Sequence, residues 1–201
     1  MKAILLILLF TQVLLSEATT SLSCIYYKKD KNNYEPIMNQ KKCISLLPSN
    51  EFINIKGNDV YISKEVVKNA YYFEHNLSYL HSKGGPVYFT KQGKARRALS
   101  FDNGADYFKD GLARTIDKNH KIGYFDTHLT VIIKPIYDFA FPFENKKAIV
   151  CNGCVKKRVG EHSTMVGGKW GIIDTNGTLI KPMKYSSFRE AYKIILEDNK
   201  K

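Results

Sequence analysis

The clearest alternation of apolar and polar positions runs through Lys169-Trp170-Gly171-Ile172-Ile173-Asp174-Thr175-Asn176-Gly177-Thr178-Leu179-Ile180-Lys181-Pro182. Trp170 and Ile172 are two apart and share one face of a strand, while Ile173 points to the other. Gly171 lets a neighbouring ring or backbone approach closely. Asn176-Gly177 tolerates positive φ at both positions and predicts a tight hairpin turn. Asp174 is placed to accept from the backbone N–H groups of that turn. Lys181-Pro182 is expected to end the second strand, because proline has no ladder donor. Trp170 reads as a core aromatic.

The same pattern recurs upstream. Lys121-Ile122-Gly123-Tyr124-Phe125-Asp126 leads into Ile132-Ile133-Lys134-Pro135, and a fainter copy is Val87-Tyr88-Phe89-Thr90-Lys91-Gln92-Gly93-Lys94. Asp126 follows Thr90 by 36 residues, and Asp174 follows Asp126 by 48. The segments after the hairpins match as well: Phe108 and Phe143 are 35 apart, as are Ala113 and Ala148. Phe73 to Tyr79 reads as a degenerate earlier version.

The Lys-Trp-Gly-x-x-Asp-x-x-Gly hairpin at Lys169 to Gly177 resembles the WG-repeat family, as does the Lys-Pro-x-Tyr-Asp-x-Ala-x-Pro-Phe segment at Lys134 to Phe143. The resemblance covers roughly residues 60–185, with Gly123, Asp126, Pro135, Tyr137, Trp170, Gly171, Asp174, Gly177 and Pro182 as the repeat-defining positions. It implies a repetitive all-β architecture without an assigned activity. Only one unit keeps Trp-Gly; the others carry Ile122-Gly123 and Val87-Tyr88.

Each hairpin unit alone leaves an apolar face exposed, so the expected fold is all-β: hairpin units stacked in an open repeat or superhelical array. Before the repeats, Ser63 is placed to cap a short helix that includes Val66, Val67 and Ala70. After them, Ser187-x-x-Glu190 forms a capping box ahead of Ala191, Ile194 and Ile195 at helical spacing. Strands are also expected at Cys43–Leu47 and in a hairpin around Lys56-Gly57-Asn58. The expected division is a signal peptide at 1–18, an N-terminal cap at 19–70, repeats at 71–186 and a C-terminal helix and tail at 187–201.

Composition changes this picture in three ways. Apolar content of 44% and charged content of 25% are those of a folded chain with a core. Lys2, the apolar run from Ala3 to Leu15 and the small residues Ser16 and Ala18 predict export with cleavage after Ala18, hence a periplasmic or extracellular protein. Cys24 after Leu22-Ser23 leaves a lipid-anchored form open. All four cysteines lie beyond that cleavage site, and an even count in an exported chain predicts disulfides. Of three connectivities, proximity favours Cys24–Cys43 with Cys151–Cys154.

The extra 12 residues of the longer spacing locate an insertion near Cys151 to His162, where function concentrates on a regular repeat. Three chemistries compete there: a local disulfide, a metal site from Cys151, Cys154 and His162, and redox exchange favoured by Lys156, Lys157 and Arg158. No hydrolase or phosphate-loop signature is present, and no cofactor or catalytic residue is expected. Asp102, Asp106 and Asp110 are four apart but read as turn and surface residues rather than a calcium loop.

The net charge of +12 permits weak association with anionic surfaces, whereas nothing supports nucleic-acid readout. Two functions follow as expectations. The first is a binding module for an unidentified protein partner, contacting it through Phe101, Asp102, Tyr107, Lys156, Lys157 and Arg158. The second is a thiol- or metal-dependent enzyme or redox protein centred on the Cys-x-x-Cys segment. Oligomeric state is left open.

Overall fold

One turn geometry recurs down the chain in the computed structural model, which describes residues 20–29, 34–46, 60–62, 64–82 and 85–198. Within 20–46 it describes the side chains of Ile25, Tyr27 and Lys28 only. Asp174 N donates to Thr178 O and Gly177 N to Asp174 O, each at 2.9 Å. Asp126 with Thr130 and Leu129, and Thr90 with Lys94 and Gly93, repeat those bonds at the same length. Asp174 Oδ1 accepts from Asn176 N and Thr178 N at 2.9 and 2.8 Å, and Asp126 Oδ1 does the same for His128 N and Thr130 N. Only the fourth residue of each turn is left-handed: Gly93, Leu129 and Gly177 have φ of 81°, 60° and 85°. This is a three-residue loop closed by a left-handed bulge, so Asn176 does not take the positive φ expected of it.

A second turn type marks the start of each unit. Asp110-Gly111 and Asn145-Lys146 both have positive φ at two successive residues, the pattern of a type I′ turn. His75-Asn76 shows the same pair of signs, 35 residues before Asp110. The degenerate copy is therefore visible in the backbone where the side chains had diverged.

Between these turns lie three-stranded antiparallel units. The first is β4 (Leu77–Ser82), β5 (Gly85–Thr90) and β6 (Ala95–Arg97); the second is β9 (Leu112–Ile116), β10 (Ile122–Asp126) and β11 (Val131–Tyr137); the third is β13 (Lys147–Val159), β14 (His162–Asp174) and β15 (Leu179–Tyr185). Units one and two are joined by the small hairpin β7 (Ser100–Phe101) and β8 (Gly104–Ala105), and β12 (Phe139–Ala140) adds to the edge of β13. At the start, β1 (Thr20–Lys29), β2 (Tyr34–Leu46) and β3 (Val60–Ile62) extend unit one into a six-stranded sheet through β1–β4 pairing. The expected cap thus shares a sheet with the first unit. Helix α1 (Lys64–Asn69) follows β3, and α2 (Phe188–Asp198) follows β15. Ser63, the Lys56-Gly57-Asn58 turn and the 1–18 signal segment lie outside the described residues. Among the described residues no helix is long and apolar enough to cross a membrane.

Four apolar clusters run in series. Val66, Leu80 and Phe89 pack α1 onto the first sheet. Ala105, Ala113, Phe125 and Leu129 fill the joint between units one and two. Tyr124, Ile133, Phe143, Val150 and Ile173 fill that between units two and three. Trp170, Ile172, Ile149 and Ala191 lie under α2. Each middle sheet is covered on both faces, which is why Ile122 to Phe125 and Trp170 to Ile173 are buried without alternation.

The proline strands differ from expectation. β11 and β15 continue through Pro135 and Pro182 to Tyr137 and Tyr185. Their ladders slip register twice, at equivalent places in both units, so the missing proline donor falls in a bulged edge strand. The bulge also explains the repeat glycine. A Cβ on Gly123 would overlap Ile133 O and stand 2.6 Å from Pro135 N; one on Gly171 would stand 3.0 Å from Lys181 O. Glycine is required because the bulged neighbour crosses directly over that position.

Candidate functional site

Strands β13 and β14 are each 13 residues long, yet only their inner ends are covered by the array. Their pairing stays in one register from Lys147↔Asp174 to Val159↔His162. The 12 residues that separate the repeat spacings therefore form no irregular loop. They extend a hairpin into a two-stranded arm, with strands 154–159 and 162–167. Gly160 has φ of 62° at the first central position of the arm's end turn, as a II′ turn demands, and Arg158 Nε donates to Gly160 O at 3.1 Å.

Facing glycines change the course of the ribbon at the base of the arm. Gly153 and Gly168 lie opposite one another with φ of 77° and 70°, and Gly167 has φ of 72°. A Cβ on Gly168 would stand 2.6 Å from Asn152 O. Asp138 holds this base. Its Oδ2 accepts from Gly153 N at 2.7 Å, and its Oδ1 meets Lys121 Nζ at 2.5 Å. The Lys121 hydrogen bond, supported by Gly153 N–H, holds the Asp138 carboxyl below the ordinary aspartate value. Cys151 and Cys154 are disulfide-bonded and buried at the inner end. The Cys24–Cys43 pairing rests on side chains outside those described.

The arm itself is exposed. Val155, Lys157 and Val159 alternate onto one face, beside Val166 and Thr164 of the partner strand. Val155 and Val159 are 62% and 57% exposed. Lys156 and Arg158 lie on the opposite face. Beyond the β12 and β15 pairings, the edges of both arm strands pair with no other strand among the described residues, the feature by which a sheet accepts a further strand.

The suggested metal ligands are not brought together. Both thiols are joined to each other, and His162 is at the far end of the arm, opposite Val159. From Cys154 to Val159 the strand spans roughly 17 Å at about 3.3 Å per residue, whereas zinc ligands bind within about 2.3 Å. Among the described residues no three His, Cys, Asp or Glu side chains form a metal-binding group.

Of the other suggested contact residues, Phe101 and Asp102 lie on the β7–β8 hairpin and Tyr107 just after it; the hairpin has no strand pairing to the arm. Phe101 and Tyr107 are 44% and 54% exposed, with ring centroids 6.2 Å apart. Asp102 is in the β7–β8 turn with φ of 44°, and Asp110 is in the turn before β9. Asp106 departs from the turn-and-surface reading, because it is buried against Arg114. Arg114 Nη2 reaches Asp106 Oδ1 at 2.6 Å, Nε reaches Oδ2 at 3.0 Å, and Nη1 donates to Ala140 O at 3.0 Å. The same guanidinium is 5.3 Å from the Phe101 ring centre, so the buried pair supports the exposed aromatic hairpin from beneath. One signal for this pair was available: Asp106 aligns with Phe141 at the 35-residue spacing, a charge where the next copy has an aromatic.

Trp170 donates from Nε1 to Gly167 O at 2.9 Å and packs among Phe139, Phe141 and Phe188. It is a core residue that also anchors the arm's base. Comparisons with curated proteins and with solved structures find no match. The family model of the WG containing repeat matches residues 122–153 and 170–192. The first segment runs from β10 into β13 and the second from the middle of β14 into α2, so these parts are similar to WG repeats, and the chain is an all-β repeat protein.

Proposed function

We propose that this chain is an exported binding module that engages a protein partner of the cell envelope through the 154–167 arm. The observation that carries the reading is the arm: a regular ribbon with exposed valines, a Lys156-Lys157-Arg158 run and two edges that pair with no other strand among the described residues. A repeat that needed only to close its hairpin would use a turn like Asp117–Lys121 in unit two. The inner disulfide and the Asp138 clamp reduce the arm's freedom before binding, which lowers the entropic cost of association. The basic cluster favours a partner with an acidic face. Export rests on the leader-like segment and on the cysteines.

The test replaces residues 155–166 by a two-residue turn and compares that variant with the parent protein. The variant should keep its thermal unfolding within a few degrees, because the deleted residues contribute little to the clusters. Crosslinks from Lys156 and Lys157 should identify a partner in the exported fraction that the variant fails to hold. Equal retention of every partner by both proteins would remove the arm from recognition. Intact mass of the secreted chain checks cleavage after Ala18 in the same preparation.

A further inference from the structure

A second surface stands apart from the arm. Helix α2 does not fully cover the open end of the third unit, and between them lies a cleft of about 640 Å³. Its walls are segregated. Phe141, Ile149 and Phe188 with Tyr192, Ile195 and Leu196 of α2 form an apolar trough. Lys109, Lys147, Glu144 and Asn145 line it too, and all four belong to the stacked turns of units two and three. Those turns are tied together where Lys146 N donates to Asp110 Oδ2 at 2.7 Å. Among the described residues neither lysine nor Glu144 forms an ion pair, which leaves one net positive charge at that end.

We infer that this cleft binds an amphipathic monoanion: a single apolar chain lying along α2, with its carboxylate between Lys109 and Lys147. The volume lies in the small-ligand range. Exposure of Tyr192 and Leu196, at 43% and 45%, leaves apolar area for such a chain to cover. A peptide fits less well, because its backbone N–H and C=O groups would meet few partners along the trough. The site does not depend on the arm.

Trp170 is the only tryptophan, and its ring centre is 6.4 and 6.3 Å from those of Phe141 and Phe188, both in the cleft wall. Its fluorescence therefore reports occupancy. Dodecanoate, titrated below its micelle concentration into the full chain, should give a saturable one-to-one response. Leu196→Glu should weaken it at least tenfold while leaving far-UV circular dichroism unchanged. Lys109→Ala with Lys147→Ala should weaken dodecanoate at least tenfold and dodecanol less than threefold. The arm-shortened variant should bind as the parent does. No saturable response, or equal affinity in parent and Leu196→Glu, overturns the inference. So does a dimer in sedimentation that Leu196→Glu dissociates, since a second copy would then occupy the cleft.

Discussion

Asp106 and Arg114 show how one substitution can depart from a repeat and still be fixed by it. The carboxylate and guanidinium are 1% and 3% exposed and make two mutual hydrogen bonds, with Ala140 O taking a third guanidinium donor. Removing one partner strands a buried charge, which costs about 3–5 kcal/mol, whereas replacing both by apolar residues of similar volume is often neutral. Asp106→Ala or Arg114→Ala should therefore lower unfolding free energy in urea by that amount. Asp106→Leu with Arg114→Met should recover most of it. Comparable losses in the single and double variants would show that packing, rather than charge pairing, dominates there.

At the scale of elements, the arm and the helices are set by their ends. Helix α2 is capped by Ser187, whose Oγ accepts from Glu190 N at 3.3 Å. The return bond goes one residue further back than a standard capping box, from Ser186 N and Oγ to Glu190 Oε2, each at 2.8 Å. The arm's base depends on Asp138. A carboxyl with a depressed folded value stabilises the fold fully above the ordinary aspartate value of about 3.9 and loses that contribution as pH falls through the folded one. Acidification should thus release Gly153 N–H. Its amide resonance in an NMR titration should move below pH 4 together with the Asp138 side chain, and Asp138→Asn should remove that titration. A Gly153 amide that titrates unchanged in Asp138→Asn would exclude this clamp.

For the molecule as a whole, the clusters in series make neighbouring units depend on one another. Ile133 of β11 packs with Tyr124 and Ile173 in the joint between units two and three, and Gly177 of the next unit closes against its side chain. Ile133→Ala should cost about 2–5 kcal/mol. Hydrogen-exchange protection should fall in β9–β11 and β13–β15 together, and less in β1–β3, as expected for nearest-neighbour coupling in a repeat. Loss confined to β11 would argue against coupling through this joint.

The repeat itself, its all-β class, the Asp-anchored turns and the Cys151–Cys154 bridge were legible from spacing and turn chemistry, because these depend on residues close together in the chain. Phe73 to Tyr79 was legible only faintly, since its backbone signs survived when its side chains had changed. The tertiary structure decided what local pattern could not. Pro135 and Pro182 sit within bulged strands because the neighbouring strand slips register, and Gly123 and Gly171 answer that crossing. The 12 extra residues became an arm because their pairing continued in one register past the glycine bend. Asp106 turned inward because Arg114, eight residues on, approached it only across the joint between units.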